Sequence, residues 1–350
     1  MPLAKISGNK CRRYCLAFGI FLSATPVLAE PIFTSFEAAP PVALSELKEV
    51  GGRLYAVAAD RRRWRVDIAG DRATFVPAKP QPAEILPANA LSDGIVAVDQ
   101  PTGLRGWLTH PTRRYDHGVL GDRIEAGGFR IADRHGSVFD YLLDDRSVFE
   151  DRMVRFWDVD GDGTPEIVAV RSRLNAGAQL AVFGLAKSGI VEIASSRPIG
   201  RAYRWLNPIA AADFDGDGRI EVAAVITPHL GALLRLFRLN RDRLEPVYEA
   251  YGFSNHGICM RSQGLDTVVD VNGDSVPDLI VPNAARKVMR VVTFAKGIFR
   301  ELGRVGHQSS IAGNAVLFQH NEAPAVAYPL KNGRISIIRF PNGRQMLTKR

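Results

Sequence analysis

The chain has 350 residues, of which 46% are hydrophobic and 23% are charged, so it can bury a large core in one repeat domain or in two ordinary domains. Its net charge of +8 comes from 45 basic and 37 acidic residues that are scattered along the sequence. Such a weak and dispersed excess argues against a nucleic-acid partner, and we expect none.

The first 29 residues have the pattern of a secretory signal peptide. An apolar run over residues 14–24 is followed by a small-residue cleavage pattern that ends at Ala29, and it is preceded by the basic residues Lys5, Lys10, Arg12 and Arg13. A twin-arginine signal and an uncleaved signal anchor are the alternatives to general secretion. No later segment approaches a membrane span. The sequence therefore predicts a periplasmic or secreted protein with no stable membrane insertion after signal removal.

Removal of the signal would take away Cys11 and Cys15 and leave 41 basic against 37 acidic residues, an excess of +4. Cys259 would then be the single cysteine, and it is predicted to be a small buried hydrophobe. No intramolecular disulfide can form in such an exported chain, so another kind of cross-link must stabilise the fold.

Residues 46–149 contain several short strand patterns and one unusual polar stretch. The strand patterns surround a proline-rich connection at residues 76–87, and the polar stretch covers residues 107–128. An aromatic and basic cluster of this kind can hold an anionic sugar or an acidic protein surface, although it can also be a long loop that covers a neighbour. The candidate ligand-binding residues are Trp107, His110, Arg113, Arg114, Tyr115 and His117.

A unit of about 55 residues is repeated three times further along the chain. The copies begin with DVDGDGTPEIVAV at 158–170, DFDGDGRIEVAAV at 213–225 and DVNGDSVPDLIVP at 270–282. Each acidic stretch runs into a continuously apolar strand, which is typical of a sheet covered on both faces, and two further strands follow it. With the strand that precedes the acidic stretch, every unit contains four strands.

Four antiparallel strands cannot bury both faces of their own sheet, so units of this size stack face to face. The sequence therefore predicts an all-β fold, a β-propeller of six to seven four-stranded blades, as a single domain over residues 30–340. The clear blades are predicted at 150–197, 205–250 and 262–305, degenerate blades at 46–149 and 311–340, and a flexible tail at 341–350.

Aspartates at the first, third and fifth positions of a loop, with glycine at the sixth, allow the chain to curl around a cation. The position-12 glutamate of helix-loop-helix calcium sites is absent, since Ala169, Ala224 and Val281 stand there, so the acidic ninth residue is predicted to close the shell. An all-oxygen set suits Ca²⁺ better than zinc or magnesium, and two to three sites are predicted. The predicted ligands are Asp158, Asp160, Asp162, the carbonyl of Thr164 and Glu166; Asp213, Asp215, Asp217, the carbonyl of Arg219 and Glu221; and Asp270, Asn272, Asp274, the carbonyl of Val276 and Asp278.

Two other interpretations of these loops are weaker. An acidic turn without a metal needs three coincidences at the same place in a repeat, and a catalytic carboxylate cluster is normally one constellation instead of three equivalent copies.

The three copies resemble FG-GAP repeats, also called VCBS repeats, of the integrin-alpha-type calcium-binding β-propellers, over about residues 150–305. The resemblance implies that each acidic loop joins two strands of a blade and holds calcium, and that the blades form an adhesion or ligand-binding platform. The third copy departs from the pattern at Asn272 and Ser275, which indicates a weaker site.

The favoured function is that of an exported, monomeric, calcium-stabilised propeller that binds a protein or glycan without catalysis. A propeller-type polysaccharide lyase or hydrolase is the alternative, with catalysis by loops at one end of the channel. A quinoprotein-like dehydrogenase is a third class, but no cofactor-binding channel can be located. The seven histidines show no metal-ligand spacing, and residues 201–208 and 252–261 are the next stretches that lie outside the repeat pattern.

Overall fold

The computed structural model describes residues 32–83 and 85–344, so the predicted signal peptide and residues 345–350 of the predicted tail lie outside the described residues. A one-turn 3-10 helix at Ala295–Gly297 is the helical element of this part of the chain, and no helix in it could span a membrane. The strands are β1 (Thr34–Ala38), β2 (Glu46–Val50), β3 (Arg53–Val57), β4 (Arg63–Ala69), β5 (Arg72–Ala78), β6 (Ala97–Val98), β7 (Arg105–Thr112), β8 (Glu125–Ala132), β9 (Val138–Leu142), β10 (Ser147–Phe149), β11 (Arg155–Trp157), β12 (Glu166–Arg173), β13 (Gly177–Ala186), β14 (Gly189–Ser196), β15 (Leu206–Ala212), β16 (Glu221–Ile226), β17 (Leu233–Asn240), β18 (Arg243–Tyr251), β19 (Thr267–Val269), β20 (Asp278–Pro282), β21 (Val288–Thr293), β22 (Arg300–Gly306), β23 (Val316–His320), β24 (Ala323–Pro329) and β25 (Ile335–Arg339).

The strands form six antiparallel four-stranded units, which we call blades 1 to 6. Blades 1 to 5 are β2–β5, β6–β9, β11–β14, β15–β18 and β19–β22, and blade 6 is β23–β25 with β1. Two further pairings join neighbouring blades, because β10 pairs with β8 and β12, and the end of β14 pairs in parallel with β18. This architecture confirms the predicted all-β propeller, and the part of the chain that is described forms six blades.

Blade 6 is built from both ends of the described chain. Strand β1 pairs antiparallel with β25, from Thr34 opposite Arg339 to Ala38 opposite Ile335. The N-terminal segment, which could have contributed to a seventh blade, therefore supplies the outer strand of blade 6 and closes the ring.

The core lies between successive blades. Strands β12, β16 and β20, which follow the three acidic stretches, are buried on both faces, as their continuous apolar runs predict. Hydrophobic clusters join blade 2 to 3, 3 to 4, 4 to 5, 5 to 6, and 6 to 1. Face-to-face packing of this kind buries the apolar surface that a single four-stranded sheet would leave exposed.

A central channel of about 690 Å³ runs between the innermost strands. Each of the six blades contributes residues to its lining, including Leu47, Val98, Phe156, Ile209, Val268 and Val316.

The two ends of the ring carry different segments. At the acidic end lie the turns from the first to the second strand of each blade, including the three acidic loops. At the connection end lie the links between blades and the turns from the second to the third strand. The described start of the predicted tail lies at the acidic end, because the Arg344 N–H donates to the Asp270 carbonyl at 2.8 Å.

Candidate functional site

The three acidic loops, loop 1 (158–166), loop 2 (213–221) and loop 3 (270–278), join the first two strands of blades 3, 4 and 5. Neighbouring loops approach each other closely: a Cβ atom at Gly216 of loop 2 would lie 3.0 Å from Cγ2 of Val276 in loop 3. The repeat therefore places its carboxylates side by side along one end of the ring.

The first aspartate of each loop holds the turn through backbone N–H groups. In loop 1, Oδ1 of Asp158 accepts from Gly161 at 2.7 Å and Oδ2 accepts from Gly163 at 3.0 Å. Both glycines have φ in the left-handed region, at 81° and 88°. Asp213 and Asp270 accept the equivalent bonds in loops 2 and 3. Glycine adopts this backbone at little steric cost, which explains its spacing in the motif.

The ninth residue of each loop is buried and turned into the loop. Oε2 of Glu166 accepts the Val159 N–H at 2.7 Å, and Glu221 and Asp278 accept the equivalent N–H groups at 3.0 and 2.9 Å. One oxygen is thereby used by the backbone, and the second oxygen of each carboxylate is left for another partner.

Loop 1 has the oxygen set that a divalent cation requires. Asp158, Asp160 and Glu166 each offer a carboxylate oxygen, and these atoms lie within 4.8 Å of one another. Burial and the charge of the neighbouring aspartates raise the pKa of Glu166 to about 7. Within residues 32–83 and 85–344, no basic side chain forms an ion pair with this loop. Such a cluster of oxygens fits Ca²⁺, which would bring the carboxylates together against their mutual repulsion.

Loop 3 fits a cation for a different reason. Oδ1 of Asp278 is buried and forms no hydrogen bond of ordinary geometry, although the Thr293 hydroxyl lies close enough to this carboxyl to act against the effect of burial on its pKa. Burial raises the pKa of this carboxyl to about 7. The side chain of Asn272 donates to Oδ2 of Asp274 at 3.1 Å, so the third and fifth positions already interact with each other. An orphaned buried oxygen is costly unless it binds a cation, a proton or a water molecule.

Loop 2 differs because a guanidinium already lies among its carboxylates. Arg238 of β17 donates from Nε to Glu221 at 2.7 Å, from Nη1 to Asp217 at 3.0 Å and from Nη2 to Asp215 at 2.9 Å. The Tyr248 hydroxyl adds a bond of 2.8 Å to Asp215. Burial acts to lower the pKa of Arg238, but the hydrogen bond and charge of Glu221 raise it above its ordinary value. Carboxylate oxygens of Asp213, Asp215 and Glu221 lie within 4.8 Å of one another, as the equivalent oxygens of loop 1 do, but Arg238 already binds two of these three residues, Asp215 and Glu221.

The predicted carbonyl ligands stand at the seventh position of each loop. The N–H group of each of these residues is bound by the fifth residue: Thr164 donates to Asp162 at 2.6 Å, and Arg219 and Val276 make the same contact at 2.9 Å. The contribution of their carbonyl groups to a metal shell stays a prediction.

Residues 158–224 match the family model of the FG-GAP-like repeat, from the first residue of loop 1 into β16. The chain is an FG-GAP repeat protein. No curated protein matches it significantly. Among solved structures, it is similar to the crystal structure of BBS1N in complex with ARL6DN, soaked with mercury, with a TM-score of 0.51 and 11% identity over 89% of this chain and 97% of the other. At this identity the likeness supports the propeller fold alone.

The six predicted ligand-binding residues do not form one cluster in this FG-GAP repeat protein. Trp107 is buried and its Nε1 donates to Asn89 at 3.1 Å, whereas His110 and Arg113 are exposed. Arg114 donates to the Ser147 carbonyl at 2.9 Å. The remaining two residues, Tyr115 and His117, lie together in the turn between β7 and β8 at the connection end.

Three stretches outside the repeat pattern converge at the connection end. Tyr203 stacks on Tyr115 with ring centroids 5.0 Å apart, and its N–H donates to the Tyr115 hydroxyl at 2.6 Å. The Cys259 N–H donates to the Val119 carbonyl at 3.0 Å. The ring of Trp205 also packs edge-on against that of His256, with centroids 4.8 Å apart, so residues 107–128, 201–208 and 252–261 are in mutual contact. The expectation that Cys259 is buried is wrong: it is exposed, in a tight turn where its φ is 61°.

Sequence analysis missed Glu150, which lies at the centre of this region. Its side chain is fully buried, lies 2.5 Å from Nδ1 of His117 and accepts a hydrogen bond from the Ser172 hydroxyl. Burial raises the pKa of this carboxyl. The carboxylate stands between the hydroxyl and the imidazole, so Ser172 is not paired with a histidine base as a nucleophile would be. Glu150 lies in the short link between β10 and β11, at the start of the first predicted clear blade, and no spacing rule distinguished it.

Two histidines at the connection end form a hydrogen-bonded pair, and their contacts define which ring nitrogens carry a proton. Nε2 of His256 lies 2.8 Å from the Met260 carbonyl, so this nitrogen carries the proton. Nδ1 of His256 then accepts from Nε2 of His229 at 2.9 Å. Burial lowers the pKa of both imidazoles to about 4, and the ring of His229 is stacked on that of Trp205. Both rings are therefore neutral at pH 7.

Proposed function

We propose that this FG-GAP repeat protein is an exported, calcium-stabilised β-propeller that binds a protein or glycan at its connection end and catalyses no reaction. The observation that carries the proposal is the convergence of residues 107–128, 201–208 and 252–261 on that end. Loops that depart from a repeat pattern and meet on a rigid scaffold are the usual place for binding residues.

Exposed apolar side chains support a binding role for this end. Tyr203, Leu230, Tyr251 and Ile258 lie in or beside links and turns of the connection end, and between 47% and 73% of each side chain is exposed. Large apolar groups with polar neighbours are typical of interaction surfaces. Arg286 lies beside them, since its Nη1 donates to the Ser254 hydroxyl at 3.0 Å. A partner with aromatic or sugar-ring faces and some negative charge fits these side chains.

Calcium has a separate, structural role in this proposal. The carboxylates of loops 1 and 3 suit Ca²⁺ and lie at the acidic end, away from the connection end. A ligand that binds only the folded state stabilises it, so calcium can replace the disulfides that the mature chain cannot form.

Export and the monomeric state are further parts of the proposal, supported by the N-terminal sequence pattern and by the closed ring. Cell fractionation with mass measurement of the purified protein tests the first, and we expect a mature chain that begins at residue 30. Light scattering tests the second.

The binding role is tested with purified mature protein on a panel of acidic polysaccharides, including alginate, polygalacturonate and hyaluronate, and on immobilised protein candidates. For any ligand found, Tyr203→Ala should weaken binding at least about tenfold, since buried aromatic contacts dominate such interfaces. Ile298→Ala, which removes an exposed apolar side chain from the acidic end, is the control and should bind normally. Equal affinities of both variants would refute the connection end as the binding surface.

An enzyme is the second candidate, because His117 and Glu150 form a buried acid–imidazole pair beside the exposed Tyr203. A propeller-type polysaccharide lyase or hydrolase would cleave one of the polysaccharides above. Turnover that disappears in His117→Ala would replace the non-catalytic role with this activity.

A further inference from the structure

The three acidic loops face different residues across the second and third strands of their blades. The ladders pair Ile167 with Phe183 in blade 3 and Leu279 with Val292 in blade 5. Continued by one residue, this register brings Gly184 of β13 to the level of Glu166 and Thr293 of β21 to the level of Asp278. In blade 4 the opposite residue is Arg238, which pairs directly with Glu221. The residue at this position of the repeat is therefore glycine in blade 3, arginine in blade 4 and threonine in blade 5.

The position is comparable in the three blades because each third strand has the same irregularity. The pairing of the third with the fourth strand shifts at Val182/Phe183, Leu236/Phe237 and Val291/Val292. The second residue after each shift, which is Gly184, Arg238 or Thr293, is the one at the level of the ninth loop residue.

Arg238 binds two of the three loop positions that approach one another in loop 1, the third and the ninth. Loop 1 brings together its first, third and ninth residues, and Arg238 binds the third, fifth and ninth residues of loop 2, which are Asp215, Asp217 and Glu221. The guanidinium side chain is 13% exposed. Its planar set of donors satisfies several carboxylate oxygens at once, and it is always charged at physiological pH. A divalent ion placed among these oxygens would lose ligands to the guanidinium and would be repelled by its charge.

We propose that Arg238 is the resident cation of blade 4, so that the chain binds calcium at loops 1 and 3 and not at loop 2. The inference rests on the proposed calcium role, and of the two to three sites predicted from the sequence it selects two. Arg238 also links loop 2 to β17, while Tyr248 links it to β18, so blade 4 is held together without metal.

Two reciprocal substitutions test this assignment. Arg238→Gly gives blade 4 the glycine that blade 3 has at this position, and Gly184→Arg gives blade 3 the arginine of blade 4. The second change is sterically allowed, because a Cβ atom at Gly184 would lie 3.4 Å from Ile193 Cγ2 and φ is not in the left-handed region. Arg235→Gly is the matched control: it removes an arginine from the same strand, where Arg235 pairs with Glu249 away from the loops.

The measurement is bound calcium per chain, by elemental analysis after equilibrium dialysis against calcium, with thermal unfolding in calcium and in chelator. We expect two calcium ions for the wild type and for Arg235→Gly, three for Arg238→Gly and one for Gly184→Arg. The unfolding midpoint of Arg238→Gly should fall further on chelation than that of the wild type. If Arg238→Gly folds only with calcium present, Gly184→Arg still tests the assignment.

The outcomes separate this inference from the proposed function. Calcium binding by the wild type with the same stoichiometry in Arg238→Gly would overturn the role of Arg238 and leave the calcium-stabilised propeller intact. No calcium on the wild type but one ion on Arg238→Gly would overturn the calcium part of the proposed function and support the role of Arg238. An absence of calcium from both proteins would overturn the two together.

Discussion

Nδ1 of His307 lies 2.9 Å from Oε1 of Glu37, although the two residues are 270 positions apart in the chain. Glu37 belongs to β1, and its second carboxylate oxygen accepts from Nε of Arg334 at 2.9 Å. The other imidazole nitrogen of His307 lies 2.9 Å from the hydroxyl of the buried Tyr328. These contacts attach the N-terminal strand to blade 6 in addition to the β1–β25 ladder, so the stability of the ring depends on β1.

A charged residue placed on the buried face of β1 should destabilise the packing of this strand in blade 6. Ala38 is 9% exposed and packs in the cluster shared by blades 6 and 1, so Ala38→Asp would bury an unpaired carboxylate. We expect a loss of about 3 kcal/mol in the free energy of unfolding. Thr34→Asp at the exposed start of the same strand is the control and should cost less than about 0.5 kcal/mol. Urea unfolding followed by tryptophan fluorescence measures the free energy of unfolding of both variants. A loss for Ala38→Asp as small as that for Thr34→Asp would mean that β1 does not close the ring.

Removal of calcium should lower the stability of the mature protein. A ligand at one hundred times its Kd stabilises the folded state by about 2.7 kcal/mol per site, which is about 5 to 10 °C in Tm for a domain of ordinary size. Glu166→Gln removes one ligand charge from loop 1 and should reduce the calcium-dependent part of the shift. Asp242→Asn, an exposed acidic residue between β17 and β18, is the control for loss of charge at the same end. An identical Tm in calcium and in chelator would contradict the calcium role.

Asp278→Asn should lower the stability of the protein in calcium but not in chelator. In chelator, the substitution removes a buried carboxylate whose Oδ1 forms no hydrogen bond of ordinary geometry, so stability should rise or stay level. In calcium, it removes a charged ligand of loop 3, so stability should fall. A single calorimetric series with and without chelator shows whether the two curves cross. A loss of equal size in both conditions would mean that Asp278 binds no cation.

The propeller could be predicted because the spacing of glycines and apolar residues in its repeats follows from the local backbone conformation and burial. Gly161 and Gly163 stand where the loop needs a left-handed backbone, and the apolar run after Glu166 stands where a strand is covered on both faces. Arg238 could not be identified from sequence, because it lies 17 residues after Glu221 on another strand and only the pairing of β16 with β17 brings the two residues opposite each other.

The connection end was less predictable than the acidic end. Tyr115 and His117 were singled out by their composition, and Trp205 and His256 lie in the two stretches noted as outside the repeat pattern, but Glu150 was missed. Glu150, Trp205 and His256 lie in separate links that meet only when the blades stack. Contacts between segments of different blades follow from the closure of the ring and leave no spacing pattern in the sequence.

The neutral histidine pair predicts a loss of stability on acidification. Burial lowers the pKa of His229 and His256 from 6.5 to about 4, so the unfolded chain binds protons more readily than the folded protein between these values. The free energy of unfolding should therefore be unaffected by the pair above pH 6.5 and fall as the pH drops from 6.5 to 4. Glu125 at the same end acts in the opposite direction, because burial raises its pKa to about 9 and the folded state keeps its proton.

His256→Gln separates the imidazole contribution from that of the carboxyls, since it removes one titrating ring and leaves Glu125 in place. At pH 7 the variant should be less stable than the wild type, because the contact of His256 with Trp205 and its bond to His229 are lost. The difference between the two proteins should shrink as the pH falls towards 4, because only the wild type must keep this ring unprotonated. His135→Gln, at an exposed position, is the control and should follow the wild-type curve. Urea titrations at pH 7, 6, 5 and 4 measure the difference, and a constant gap across the series would show that His256 does not remain neutral through burial.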